Sequence, residues 1–149
     1  MVRIHPGLPT TLMKAEEGLQ IHLAIDYLFS GMTRDEMKAR TKTFALRVMK
    51  MVDHLPTTQK GRILGDQILR SATSVASNYR AACRGRSDAE FAAKLGTTVE
   101  EADETGLWLE LISEGGLLPA KKVKSLIQEA DELTAILFTA CRTIRSRLK

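Results

Sequence analysis

An all-α, up-down-up-down antiparallel four-helix bundle is the fold this sequence predicts, and three observations predict it. Four long segments carry apolar residues at steps of three and four. The links between them are short and marked by glycine or proline. No Asn-Gly or Asp-Gly turn and no alternating run of Val, Ile and Thr marks a strand. At 149 residues the chain is long enough for one sizeable core.

Residues 1–32 read as an N-terminal extension and residues 33–149 as the bundle. The first ten residues hold two prolines and a glycine and are expected to be irregular. Residues 12–29 place Leu19, Leu23 and Tyr27 on one side of a potential helix, with Gly18 weakening it and Gly31 ending it. The extension is thus either an extra helix or an irregular lead.

The first bundle helix, about 33–54, opens on Thr33-Arg34-Asp35-Glu36, a capping box. Its stripe is Met37, Thr41, Phe44, Val48, Val52 and Leu55, and Pro56 stops it. The second, about 58–84, carries Leu64, Ile68, Ala72, Val75, Tyr79 and Cys83, widened by Ile63, Leu69 and Ala76. Gly61 and Gly65 permit close approach of a neighbour, and Gly85 reads as a C-terminal cap. The third starts at Ser87 with Glu90 completing a second box. Its stripe of Phe91, Leu95, Thr98, Ala102, Thr105, Leu109 and Ile112 alternates steps of four and three, the spacing of a shallow-angle seam. Gly115 and Gly116 end it. Pro119 suits the first turn of the fourth helix, whose stripe is Leu126, Ala130, Leu133, Leu137, Ala140 and Ile144. Short links make successive helices antiparallel.

The net charge of +4 hides an uneven distribution. Residues 58–86 hold six basic side chains against Asp66 alone, whereas residues 87–114 hold eight acidic ones against Lys94. Complementary helices can set their own order and register, although exposed pairs contribute only about 0–1 kcal/mol each. The helix ends point further. Arg80, Arg84 and Arg86 close the second helix, and Arg142, Arg145, Arg147 and Lys149 close the fourth. Topology puts these two groups at one end, opposite Lys121, Lys122 and Lys124. Such an end is a candidate surface for the phosphates of RNA or DNA. The alternative is a surface that binds only protein.

Enzyme chemistry has little support. His5, His22 and His54 are scattered without metal spacing, so no metal or other cofactor is expected. No Gly-rich phosphate loop, nucleophile elbow or HExxH is present. Cys83 and Cys141 fall on apolar stripes and read as small core residues. With no run of about 18 apolar residues and no apolar signal block at the start, a cytoplasmic chain without a membrane span is expected.

Arg70, Ser74 and Asn78 stand at four-residue steps on the margin of the second helix's stripe, and Glu101 and Glu104 hold a similar margin on the third. Arg70 is expected to pair with Glu101 or Glu104, with Asn78 as an added partner, because a half-buried arginine needs an acceptor. The aromatic residues Phe44, Tyr79, Phe91, Trp108 and Phe138 do not interleave with basic ones in a single-strand stacking pattern, and most belong to the core. Trp108 is the exception, and with Leu107 and Leu111 it extends apolar surface beyond one stripe, where the N-terminal segment or another subunit can cover it.

Residues 67–84 (QILRSATSVASNYRAACR), with 87–95 (SDAEFAAKL), 100–105 (EEADET) and 108–111 (WLEL), resemble the bacterial four helix bundle protein family. That family is related to proteins encoded by intervening sequences of 23S ribosomal RNA genes. The resemblance spans about residues 38–146 and includes Arg70, Asn78, Phe91, Leu95, Glu101 and Glu104. Family members often read Asn-Ile-Ala-Glu-Gly where this chain has Asn78-Tyr79-Arg80-Ala81-Ala82, so an acidic residue and a glycine are lost here. The resemblance implies an up-down-up-down bundle assembled as a homo-oligomer, a ring-like pentamer. It also implies distant kinship with the accessory protein of diversity-generating retroelements, which binds nucleic acid and a reverse transcriptase through a basic surface. No enzymatic activity is implied.

Overall fold

The computed structural model describes residues 31–149. The expected irregular start, the helix over 12–29 and all but the last two residues of the 1–32 extension lie outside them. Four helices follow in order: α1 (Arg34–Val52), α2 (Gln59–Cys83), α3 (Asp88–Glu114) and α4 (Ala120–Arg147). Helix takes up 83% of the described residues, and none of these forms a strand. α1 packs on α2, α2 on α3 and α3 on α4, while α4 closes on α1 over a shorter contact. The result is an antiparallel four-helix bundle.

Local chemistry explains each start. Thr33 Oγ1 accepts from the Glu36 amide and the Glu36 carboxylate accepts from the Thr33 amide, a complete capping box. Thr58 caps α2 by accepting from the Gly61 amide at 3.1 Å. Ser87 caps α3 in the same way through the Glu90 amide, but the Glu90 carboxylate reaches past the cap to accept from the Arg86 amide at 2.7 Å. Pro119 stands at the N-cap of α4, one position before the first turn, and gives no side-chain cap.

The ends follow backbone rules with one correction. Gly116 sits at φ +73°. The Leu117 amide donates to Ile112 O and the Gly116 amide to Ser113 O, a Schellman motif closing α3. Gly85 takes no left-handed conformation, so it is not the cap expected of it. A Cβ there would stand 3.0 Å from Ala82 O and 3.1 Å from the Phe91 amide nitrogen, so the residue is small because the chain turns tightly against itself. α1 ends at Val52, before Pro56 acts.

The predicted stripes form the core. Every stripe residue of α3 and α4 is buried, as are Met37, Phe44 and Val48 of α1 and Ile68, Ala72, Val75 and Tyr79 of α2. Val52, Leu55, Leu64 and Cys83 lie at its edge. Buried hydroxyls bond at home: Thr41 donates to Met37 O at 3.0 Å and Thr98 to Lys94 O at 2.8 Å. Thr105 also donates to Ser71 Oγ at 2.8 Å and so ties α3 to α2 inside the core. Of the aromatic side chains, Phe44, Tyr79 and Phe91 are buried, but Phe138 is 55% exposed. Leu137 fills the core position, and the next residue is turned 100° away from it.

Two glycines on buried faces differ in what they permit. A Cβ on Gly61 would lie 1.9 Å from the Pro56 carbonyl oxygen, whereas one on Gly106 would meet only the Ala130 Cβ at 3.8 Å. Gly106→Ala is therefore expected to raise stability by about 0.5–1 kcal/mol, the helix-propensity gain. Gly61→Ala is expected to lower it by roughly 1–3 kcal/mol, because backbone must move. Denaturant unfolding of the two variants checks the opposite signs.

Candidate functional site

Two arginines clamp the bundle. Arg70 on α2 pairs with Glu104 and, at 3.3 Å, with Glu101, both on α3. The Glu104 carboxylate also accepts from the Trp108 indole N–H at 3.2 Å. Trp108 therefore lies half-buried within this network rather than in the outward patch expected of it. Asn78 takes no part: its amide donates to Ser74 O at 2.9 Å on its own helix, so Ser74 serves only through its carbonyl. Two turns beyond Arg70, the antiparallel α3 presents residues 93–97, which include no carboxylate.

Sequence reasoning missed the second clamp. Arg40 on α1 holds Glu129 of α4 through two parallel bonds of 2.7 and 3.0 Å, and Glu132 at 2.6 Å. Its position beside Met37, Thr41 and Phe44 mirrors that of Arg70, and Glu129 and Glu132 repeat the three-residue spacing of Glu101 and Glu104. The marginal-arginine signal was present on both helices. The Arg40 side chain is 24% exposed, against 49% for Arg70. Donating to the Glu129 carboxylate raises the Arg40 pKa above its ordinary value, and donating to Glu104 does the same for Arg70. Stability gained from a raised guanidinium pKa is fully present below the ordinary arginine value and is lost only as pH climbs past the folded one, so neither arginine loses its charge near neutral pH.

The basic residues divide as the topology requires. Arg80, Arg84, Arg86, Arg142, Arg145, Arg147 and Lys149 are all exposed. They stand where α2 and α4 end and α1 and α3 begin. Lys121, Lys122 and Lys124 are exposed at the start of α4, the opposite end. Arg34 adds to the first end, with its guanidinium 5.0 Å from the Phe91 ring centre. No side chain of Arg80, Arg84, Arg142, Arg145, Arg147 or Lys149 pairs with a carboxylate among the described residues. Arg40 and Arg70 in the body of the bundle have carboxylate partners, and the arginines that end α2 and α4 have none among the described residues.

The outer groove between α3 and α4 has two chemically distinct halves. One, a cleft of about 480 Å³, is lined by Asp103, Gly106, Leu107, Glu110, Asp131, Thr134, Ala135 and Phe138. The other, about 580 Å³, is lined by Gly96, Val99, Glu100, Phe138, Cys141, Arg142, Arg145, Ser146 and Lys149. Phe138 marks the boundary from acidic to basic. Cys141 is buried, and its thiol contacts Ala92 O at 3.6 Å, pinning α4 to α3. Leu107 and Leu111 face outward, 48% and 42% exposed. Among the described residues no group of three or more His, Cys, Asp or Glu can hold a metal, and no helix is long and apolar enough to cross a membrane.

Residues 35–139 match the family described as 23S rRNA-intervening sequence protein. A similar solved structure is that of a protein of unknown function from the S23 ribosomal protein family of Bacteroides thetaiotaomicron. It is 30% identical, covers 73% of this chain and 97% of its own, and superposes with a TM-score of 0.67. No curated protein is significantly similar.

Truncating each clamp ranks its importance. Arg40→Ala is expected to cost about 1.5–3 kcal/mol, since it leaves the enclosed Glu129 without its charged donor. Arg70→Ala is expected to cost less, because water already reaches half of that side chain. Thermal melts near neutral pH check the order, and a larger loss for Arg70→Ala contradicts it.

Proposed function

The chain belongs to the 23S rRNA-intervening sequence protein family, and from that premise we propose that it is a non-catalytic helical scaffold that self-associates and binds RNA or DNA at the basic end of its bundle. The observation that carries this reading is the set of exposed cations at the ends of α2 and α4, none with a carboxylate partner among the described residues. Like charges gathered without acidic partners repel one another, and a polyanion relieves that repulsion by exchanging its counterions for them. A ring, the pentamer expected from the resemblance, repeats the basic end and turns weak phosphate contacts into avidity.

The non-catalytic part rests on the ionisable groups. Arg40 and Arg70 have shifted pKa values, both are clamps, and both move further from neutral pH. Neither is poised for acid–base work. Self-association rests on Leu107 and Leu111, which stand one turn apart on the outer face of α3 and remain exposed in the single chain. These residues also favour a second reading, a scaffold that binds protein alone.

Gel retardation with a short RNA and a short duplex DNA separates the two. Retention at low salt that falls steeply as salt rises is expected, with little sequence preference. Replacing Arg84, Arg86, Arg142 and Arg145 with alanine should lower the log–log salt slope by about three to four. Replacing Lys121, Lys122 and Lys124 should leave it nearly unchanged. No retention of either nucleic acid leaves the protein scaffold. For assembly, light scattering should give five times the chain mass, and Leu107→Asp with Leu111→Asp should give the monomer. A wild-type monomer at micromolar concentration contradicts self-association.

A further inference from the structure

Phe138, Arg142 and Arg145 follow one another on α4 at steps of four and three residues, and Lys149 comes just past the helix end. The first three stand in one line about 10 Å long on the helix surface. The line begins with a phenyl ring 55% exposed to solvent. Three cations follow the ring, none of which pairs with a carboxylate among the described residues. All four line the same cleft of about 580 Å³, whose α3 side includes Val99 and one carboxylate, Glu100, against the three cations. Gly96 gives the cleft its shape: a Cβ there would stand 2.6 Å from an Arg145 guanidinium nitrogen, so the guanidinium rests against the α3 backbone. On the other side of Phe138 the groove turns acidic with Asp103, Glu110 and Asp131.

We propose that this cleft is a single-strand site, in which one unpaired base stacks on Phe138 and the following phosphates run along Arg142, Arg145 and Lys149. The inference rests on the nucleic-acid reading above and adds strandedness and a contact residue to it. An exposed aromatic ring beside a track of free cations is the arrangement that single strands use, because every base has a face to stack and every linkage a charge to neutralise. A base within a duplex has both faces covered and cannot reach the ring. The cleft lies within the ~300–1,000 Å³ range of sites for small groups. The acidic half of the groove repels backbone phosphates, so the strand runs from Phe138 toward the bundle end and not the other way. The stripe of α4 explains why no motif announced this site: Phe138 follows the core residue Leu137, and an aromatic there reads as core until the exposed face is seen.

Fluorescence anisotropy of the full chain with a labelled ten-nucleotide single strand and with a hairpin duplex tests the proposal. Phe138→Ala is expected to weaken single-strand binding roughly tenfold, with duplex binding changed less than twofold and the mass by light scattering unchanged. Phe138→Trp should restore single-strand affinity, since a larger ring stacks at least as well. If Phe138→Ala binds the single strand like wild type while Arg142→Ala with Arg145→Ala does not, the nucleic-acid reading stands and the stacking site is overturned. If Phe138→Ala lowers the mass and affinity falls with it, Phe138 belongs to a contact between copies and the proposal is overturned. If the wild-type chain binds neither probe, the broader reading fails and this one with it.

Discussion

Arg40 and Arg70 each reach from one helix to a pair of carboxylates one turn apart on another, and these two clamps set how the helices are turned about their own axes. The core, through Phe44, Tyr79, Leu95, Leu109, Leu133 and Leu137, decides which stripe of each helix faces inward but leaves some slack in that rotation. Its seam includes Ala72, Ala102, Ala130 and Ala140, short side chains that interlock little with a neighbour. A guanidinium that must meet two carboxylates within hydrogen-bond distance tolerates far less slack. The clamps lie on opposite seams, α1 with α4 and α2 with α3, so between them they involve all four helices. Given the clamped rotation, the remaining faces are determined: Leu107 and Leu111 outward on α3, Phe138, Arg142 and Arg145 outward on α4.

The clamps also divide the charge. Four of the chain's acidic residues, Glu101, Glu104, Glu129 and Glu132, are held by two arginines in the body of the bundle. Glu90 is engaged by the turn before α3. The carboxylates at the end where the arginines gather, Asp35, Glu36, Asp88 and Glu90, belong to the first turns of α1 and α3, and none forms an ion pair with the arginines that end α2 and α4. Arg145 and Arg147 in the last turn of α4 also complement its helix dipole, which offsets part of the repulsion among them. The lysines in the first turn of α4 have no such compensation, and α4 starts without a side-chain cap. The two ends of one helix thus carry similar charge with different local consequences.

The stripes, the caps at Thr33 and Ser87 and the pairing of Arg70 with Glu101 and Glu104 were legible in the sequence, because each depends on spacing within a helix or between antiparallel neighbours. The Arg40 clamp joins residues 89 and 92 positions apart, and nothing along the chain links the two margins until the bundle closes. Asn78 was misplaced because side-chain spacing on α2 says nothing about what α3 offers two turns away. Trp108 and Phe138 exchanged expected roles for one reason. Aromatic size argued for the core or for a patch, whereas position on the helix decided the outcome: Trp108 borders the stripe and reaches Glu104, and Phe138 stands outside it. Gly85 shows the same limit, since a glycine after a helix serves close packing as readily as a left-handed turn.

The central claim is that the clamps leave one end of the bundle, and the cleft beside Phe138, free to hold a nucleic-acid strand. Ultraviolet cross-linking of the full-length chain to a single strand carrying photoreactive pyrimidines, with the adducts mapped by mass spectrometry, tests it most directly. The account predicts adducts on the peptides containing Phe138 to Lys149 and Arg80 to Arg86, with few at Lys121 to Lys124. Adducts concentrated at Lys121 to Lys124, or spread evenly over the exposed lysines of the bundle, would contradict it.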